Sequence, residues 1–119
     1  MRKVKVKICG LKRAQDIECV NRLLPDYIGF VFAKTKREVT EQQAAQLKAM
    51  LNPQIKAVGV FVNAEIDLIA RLTKSRTIDI IQLHGDEDAA YCERLWLQTE
   101  LPIIKAVRVK DAGSFENLQ

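Results

Sequence analysis

The first chemistry in this chain lies at Lys7-Ile8-Cys9-Gly10. A cysteine thiolate is a base and a nucleophile, and a nearby cation favours it over the thiol. If the segment is a strand, Lys7 shares a face with Cys9 and supplies that charge. Gly10 allows close approach of backbone or ligand. A second group is Gln82-Leu83-His84-Gly85, in which Gln82 and His84 share a face. Each has a plainer reading. Cys9 also fits as a small buried hydrophobe, and His84 as a structural histidine satisfied by its neighbours. Cys19 and Cys92 fall within helical patterns and are read as structural.

Composition removes several other chemistries. The chain has 119 residues, 48% of them hydrophobic and 29% charged, enough for one modest core. Three cysteines without a close pair argue against a disulfide framework or a structural zinc site, and a lone histidine excludes two-histidine metal motifs. There is no G-x-G-x-x-G, Walker or G-x-S-x-G motif. No cofactor and no metal are expected. The net charge of +4 is spread along the chain, which suits an acidic small ligand better than nucleic acid. No apolar run approaches the roughly 20 residues of a membrane span, and Met1-Arg2-Lys3 leads into a strand pattern rather than a signal core. A reducing, cytoplasmic setting is expected.

These side chains must be carried by alternating elements. Short β-branched runs at Val4–Cys9, Tyr27–Phe32, Ile55–Val62, Ile78–Leu83 and Ile103–Val109 recur about every 22–29 residues, one strand plus one helix apart. Between them run amphipathic stretches. The first carries Ala14, Ile17, Val20 and Leu24. The second starts with a T-x-x-Q capping box at Thr40 and Gln43, then Ala44, Leu47 and Leu51. Asn63 is the expected cap of a third, with Ile66, Ile69, Ala70 and Thr73 inward. Asp86 is the expected cap of a fourth, with Ala89, Cys92 and Leu95 or Trp96 inward. A fifth helix is expected over Asp111–Gln119. Such alternation implies parallel strands with right-handed crossovers. The valines of the first strand should then pack under helices, while Lys7, Cys9, Gln82 and His84 gather on the other face toward the strand C-termini, where α/β folds bind ligands.

Five ordered motifs add a family resemblance: K-I-C-G at Lys7–Gly10, G-F-V-F at Gly29–Phe32, V-G-V-F-V-N at Val58–Asn63, Q-L-H-G-D-E at Gln82–Glu87 and I-K-A-V-R-V at Ile104–Val109. Together they resemble the phosphoribosylanthranilate isomerases of tryptophan biosynthesis over essentially the whole chain. The resemblance implies the N-terminal half of a TIM (β/α)8 barrel, about four βα units plus a fifth strand, as one partial domain over residues 1–119. It implies a cofactor-free Amadori rearrangement of a phosphorylated small-molecule substrate. Cys9 falls on the family's general base and Arg37 on the arginine that contacts the anthranilate end; Lys7, Gln82 and His84 are placed as further substrate contacts. Two local departures stand out: Lys12 replaces the family's usual Thr, and the A-K-T-K-R-E loop is about one residue shorter than usual.

The family's acid, an aspartate after the sixth strand, and its phosphate loops after strands seven and eight would fall beyond Gln119. A closed barrel takes about 200 residues or more, so the expectation is a truncated form with exposed sheet edges and an exposed lumen lining. That predicts homo-oligomerisation through those edges, or else a flattened, doubly wound sheet.

Overall fold

The computed structural model describes residues 4–106. The β-branched runs form β1 (Lys7–Cys9), β2 (Tyr27–Val31), β3 (Lys56–Phe61), β4 (Ile80–Leu83) and β5 (Ile103–Lys105). Between them lie α1 (Ala14–Leu23), α2 (Glu41–Met50), α3 (Ile66–Lys74) and α4 (Ala89–Thr99). All four strand pairs are parallel, in the order β1-β2-β3-β4-β5. Right-handed crossovers that always step the same way lay every helix on one face.

Packing bears this out. Ile28, Phe30, Ala57, Phe61, Ile81 and Leu83 lie in buried clusters with helix side chains. Their neighbours Cys9, Gly29, Val58, Val60 and Gln82 alternate to the opposite face. The doubly wound alternative needs helices on both faces and is set aside. This is the parallel α/β architecture that the alternation implied, in the strand order expected of a half-barrel from the resemblance.

The helix-side core has two clusters. Ile17 and Val20 of α1 and Ala44 and Leu47 of α2 pack with Ile28 and Phe30. Ile69 and Leu72 of α3 and Leu95 of α4 pack with Phe61 and Leu83. Phe32 packs against both clusters and stacks on Phe61 with ring centroids 5.2 Å apart. Burying one such aromatic contributes about 1.5–3 kcal/mol.

Several element ends differ from expectation, each for a local reason. β1 starts at Lys7 rather than Val4, because the Asp26 carboxylate takes the Val6 N–H at 2.7 Å in place of a ladder partner. Val4 and Val6 are exposed at 71% and 44%, correcting the expectation that they pack under helices. β4 likewise starts at Ile80 rather than Ile78; the Asp79 carboxylate accepts the Ala57 N–H at 2.8 Å. In α1, Arg13 occupies the cap position and Asp16, one turn in, accepts the N–H groups of Lys12 and Arg13 at 3.0 Å each. The Lys12 N–H is the main reason that the Asp16 carboxyl lies below its usual range. The helix ends on Leu24 in the left-handed region, φ 50°, leaving that side chain exposed.

The Thr40–Gln43 capping box forms as expected, with reciprocal bonds of 2.9 and 3.1 Å. The other two expected caps do not. At α3 the cap position falls on Glu65, whose side chain makes no cap bond, rather than on Asn63; α4 is capped by Asp88, whose carboxylate accepts the Tyr91 N–H at 2.8 Å, rather than by Asp86. Asn63 and Asp86 are instead bonded to each other across neighbouring loops. Leu95 is the buried choice on α4, and Trp96 is half exposed. The end of the expected fifth strand and the helix expected over Asp111–Gln119 lie outside the described residues. Among those described, no helix is long and apolar enough to cross a membrane.

Candidate active site at the strand C-termini

Cys9 ends β1 directly opposite Gly29 of β2. A Cβ built on Gly29 would lie 2.7 Å from Cys9 Sγ, so the missing side chain is the space the sulfur occupies. Gly10 follows with φ +87°, a conformation that L side chains rarely adopt. Arg37 fills the room above it: its aliphatic chain and guanidinium occupy the volume a Gly10 Cβ would need. Arg37 Nη1 donates to the Cys9 carbonyl oxygen at 3.4 Å, joining residues 28 positions apart.

The β2–α2 loop is built to hold Arg37 there. Val39 is buried and its N–H donates to the Val31 carbonyl at 2.9 Å, closing the loop onto the end of β2. Within the loop, Arg37 N–H donates to Thr35 Oγ1 at 3.1 Å. Lys12 Nζ reaches across from the preceding loop to the Lys36 carbonyl at 3.1 Å. The lysine that departs from the family pattern thus becomes a tether between the two loops flanking Cys9.

Lys7 Nζ donates to Gln82 Oε1, spanning the helix-free face from β1 to β4. Two of the four side chains expected on that face are therefore paired. His84 follows β4 on the same alternation and is exposed; its N–H donates to the Phe61 carbonyl at 2.8 Å. The structure thus brings together Cys9 with Arg37 and Lys7 with Gln82, while His84 is not hydrogen-bonded to either pair.

A third group escaped the sequence reading. The Glu87 side chain is 1% exposed. Its Oε2 accepts the Asn63 N–H at 2.8 Å, and its Oε1 accepts the Gly85 N–H at 2.9 Å and pairs with Lys105 Nζ at 2.7 Å. Lys105 Nζ also donates to the Gly85 carbonyl, and Asn63 Oδ1 accepts the Asp86 N–H at 2.9 Å. Burial pushes the Glu87 carboxyl up, but the bonds from Lys105 and Asn63 outweigh it and hold the group below its usual range. Lys105 pairs in register with Leu83, so it falls on the helix-facing side of β5. A cation there requires a counter-charge, and that was the available signal.

A parallel sheet wound in one direction, helices on one face and polar side chains gathered at the strand C-termini define a β/α-barrel unit. The model of the N-(5′-phosphoribosyl)anthranilate (PRA) isomerase family matches residues 6–119. The N-(5′-phosphoribosyl)anthranilate isomerase of Endomicrobium trichonymphae is 50% identical over 107 residues, 90% of this chain and 54% of that protein. The crystal structure of the Thermotoga maritima phosphoribosylanthranilate isomerase superposes with a TM-score of 0.83 at 32% identity, over 97% of this chain and 56% of that one. A phosphoribosylanthranilate isomerase in complex with reduced 1-(o-carboxyphenylamino)-1-deoxyribulose 5-phosphate matches equally well, with a TM-score of 0.83 over 59% of its length. The chain belongs to the phosphoribosylanthranilate isomerase family, and it spans about half the length of these relatives.

Proposed function

We propose that this chain carries the base-bearing side of a phosphoribosylanthranilate isomerase site. The observation that carries the reading is the seating of Arg37 over Gly10, against the Cys9 carbonyl. It puts a carboxylate-binding cation beside a candidate base, and the substrate N-(5′-phosphoribosyl)anthranilate offers a carboxylate near the carbon to be deprotonated. A guanidinium pairs bidentately with such a carboxylate.

In the reaction, an acid protonates the ribose ring oxygen, the C1′–O bond breaks and a Schiff base forms. The Cys9 thiolate then takes the C2′ proton, and the C–H electron pair becomes the C1′–C2′ double bond of an enolamine. Tautomerisation yields 1-(2-carboxyphenylamino)-1-deoxyribulose 5-phosphate. Lys7, Gln82 and His84 serve as substrate contacts on the same face. In the family pattern the acid stands after the sixth strand.

The test is an isomerase assay with freshly generated substrate. The chain is assayed alone and with a second chain carrying the later βα units of a relative. Turnover that Cys9→Ala lowers about 10²–10⁴-fold supports the reading. Equal turnover in the Cys9→Ala chain, or none under either condition, overturns it.

A non-catalytic, self-associating half-barrel is the second reading, favoured by where apolar side chains stay exposed. Val4, Val6 and Leu23 lie on β1 and α1 or beside them, and Trp96, Leu97 and Ile104 on α4 and β5. Uncovered flanks of this kind invite association. A strictly monomeric species by light scattering at micromolar concentration would overturn it. Three free cysteines, Cys9, Cys19 and Cys92, suit a reducing cytoplasm in either case.

A further inference from the structure

Glu87 and Lys105 converge on one short turn. The N–H of His84 is fixed by the Phe61 carbonyl at 2.8 Å, and the next N–H, that of Gly85, by Glu87 Oε1 at 2.9 Å. The peptide groups on both sides of the His84 Cα are therefore held, which sets the direction of its Cβ. Lys105 Nζ takes the Gly85 carbonyl, removing the freedom that a glycine would otherwise have there. From the β3 side, Asn63 holds a left-handed conformation, φ 50°, secured by its N–H to Glu87 Oε2 and by its Oδ1 to the Asp86 N–H. A Cβ on Gly85 would lie 2.8 Å from that Oδ1, so the two loops are in van der Waals contact.

A buried ion pair is a poor means of stabilising a fold compared with apolar packing of the same volume. This one binds the ends of three successive strands, at the edge of the sheet where the candidate site lies. We propose that Glu87 and Lys105 are a positioning pair that fixes the His84–Gly85 turn and so presents the His84 imidazole at the mouth of the site. The geometric part stands on its own contacts; its importance for turnover rests on the isomerase reading.

His84 is the one histidine in the chain, so its imidazole signal in a proton NMR spectrum needs no assignment. The experiment compares Glu87→Gln and Lys105→Met with Ile69→Val, a core change in α3 that removes none of the turn's hydrogen bonds. The expected result is a displaced His84 resonance in both turn variants, with Gly85 amide exchange at least about tenfold faster. Ile69→Val leaves both signals in place, and Lys105→Arg restores them toward the original. Should Glu87→Gln fail to fold, the Lys105→Met and Lys105→Arg pair decides. An unmoved His84 signal and unchanged Gly85 exchange in a folded Lys105→Met chain would overturn the proposal. An inactive but unsubstituted chain would count against the isomerase reading alone, because the NMR result does not depend on turnover.

Discussion

Replacing Gly29 by Ala tests the seating of Cys9 directly. Gly29 has an ordinary strand conformation, so an alanine there brings no backbone strain, and its whole effect passes through what the new methyl meets. That methyl would lie 2.7 Å from Cys9 Sγ and 3.4 Å from the Cys9 Cα and Cβ. Non-bonded heavy atoms settle at about 3.5–4.0 Å, so the sulfur must give by about 1 Å while the rest of Cys9 is already near contact. Overpacking of that size costs about 1–3 kcal/mol. Cys9→Ala removes the sulfur and should make the Gly29 substitution nearly neutral. The measurement is a double-mutant cycle by urea unfolding of the original chain, Gly29→Ala, Cys9→Ala and the double variant. A coupling of about 1 kcal/mol or more is expected, with the double variant more stable than the sum of the singles implies. Additivity to within about 0.3–0.5 kcal/mol would show that the sulfur does not occupy the space left by Gly29, and the derivation of the site would fail with it. Under the isomerase reading the same 1 Å displacement should also cost about 10²-fold in turnover.

Two further outcomes are expected. Thr40→Ala removes the acceptor for the Gln43 N–H and half of the one side-chain capping box expected from sequence; it should destabilise the chain by about 1 kcal/mol, read as a lower urea midpoint at unchanged slope. The Glu87 carboxyl lies below its ordinary value of 4.5 in the folded chain. The stability it contributes is thus fully present above that value and is lost as pH falls through the lower folded value. Stability measured between neutrality and acid should therefore decline, and Glu87→Gln should flatten part of that decline. An identical acid profile in the two chains would refute the assignment.

What was legible in the sequence was local. Strand centres such as Val58–Phe61 and the box at Thr40 and Gln43 depend on neighbours a few residues away. The errors came where a polar group was paired with a residue some twenty or more positions away. Asn63 and Asp86 have the right chemistry for helix caps, but the Asn63 amide oxygen is taken by the Asp86 N–H, and the cap positions fall on Glu65 and Asp88. Val4 and Val6 alternate like strand residues, yet the Asp26 carboxylate diverts the Val6 N–H from any ladder. The nearness of Arg37 to Cys9 is not written in their spacing; it was expected from the resemblance alone. Glu87 and Lys105 stood inside quoted motifs, but nothing local joins two charges 18 positions apart.

Phe32 has a consequence for how the molecule comes apart. Among the described residues its ring packs against both core clusters, one built on α1 and α2 and the other on α3 and α4. Each block has its own helices and its own share of the sheet, and could open on its own schedule. The stack on Phe61 makes such independence costly, since whichever block loosens first strips the other of an aromatic wall. The two blocks are thus joined at this ring as well as along the β2–β3 ladder, where the first two βα units meet the next two.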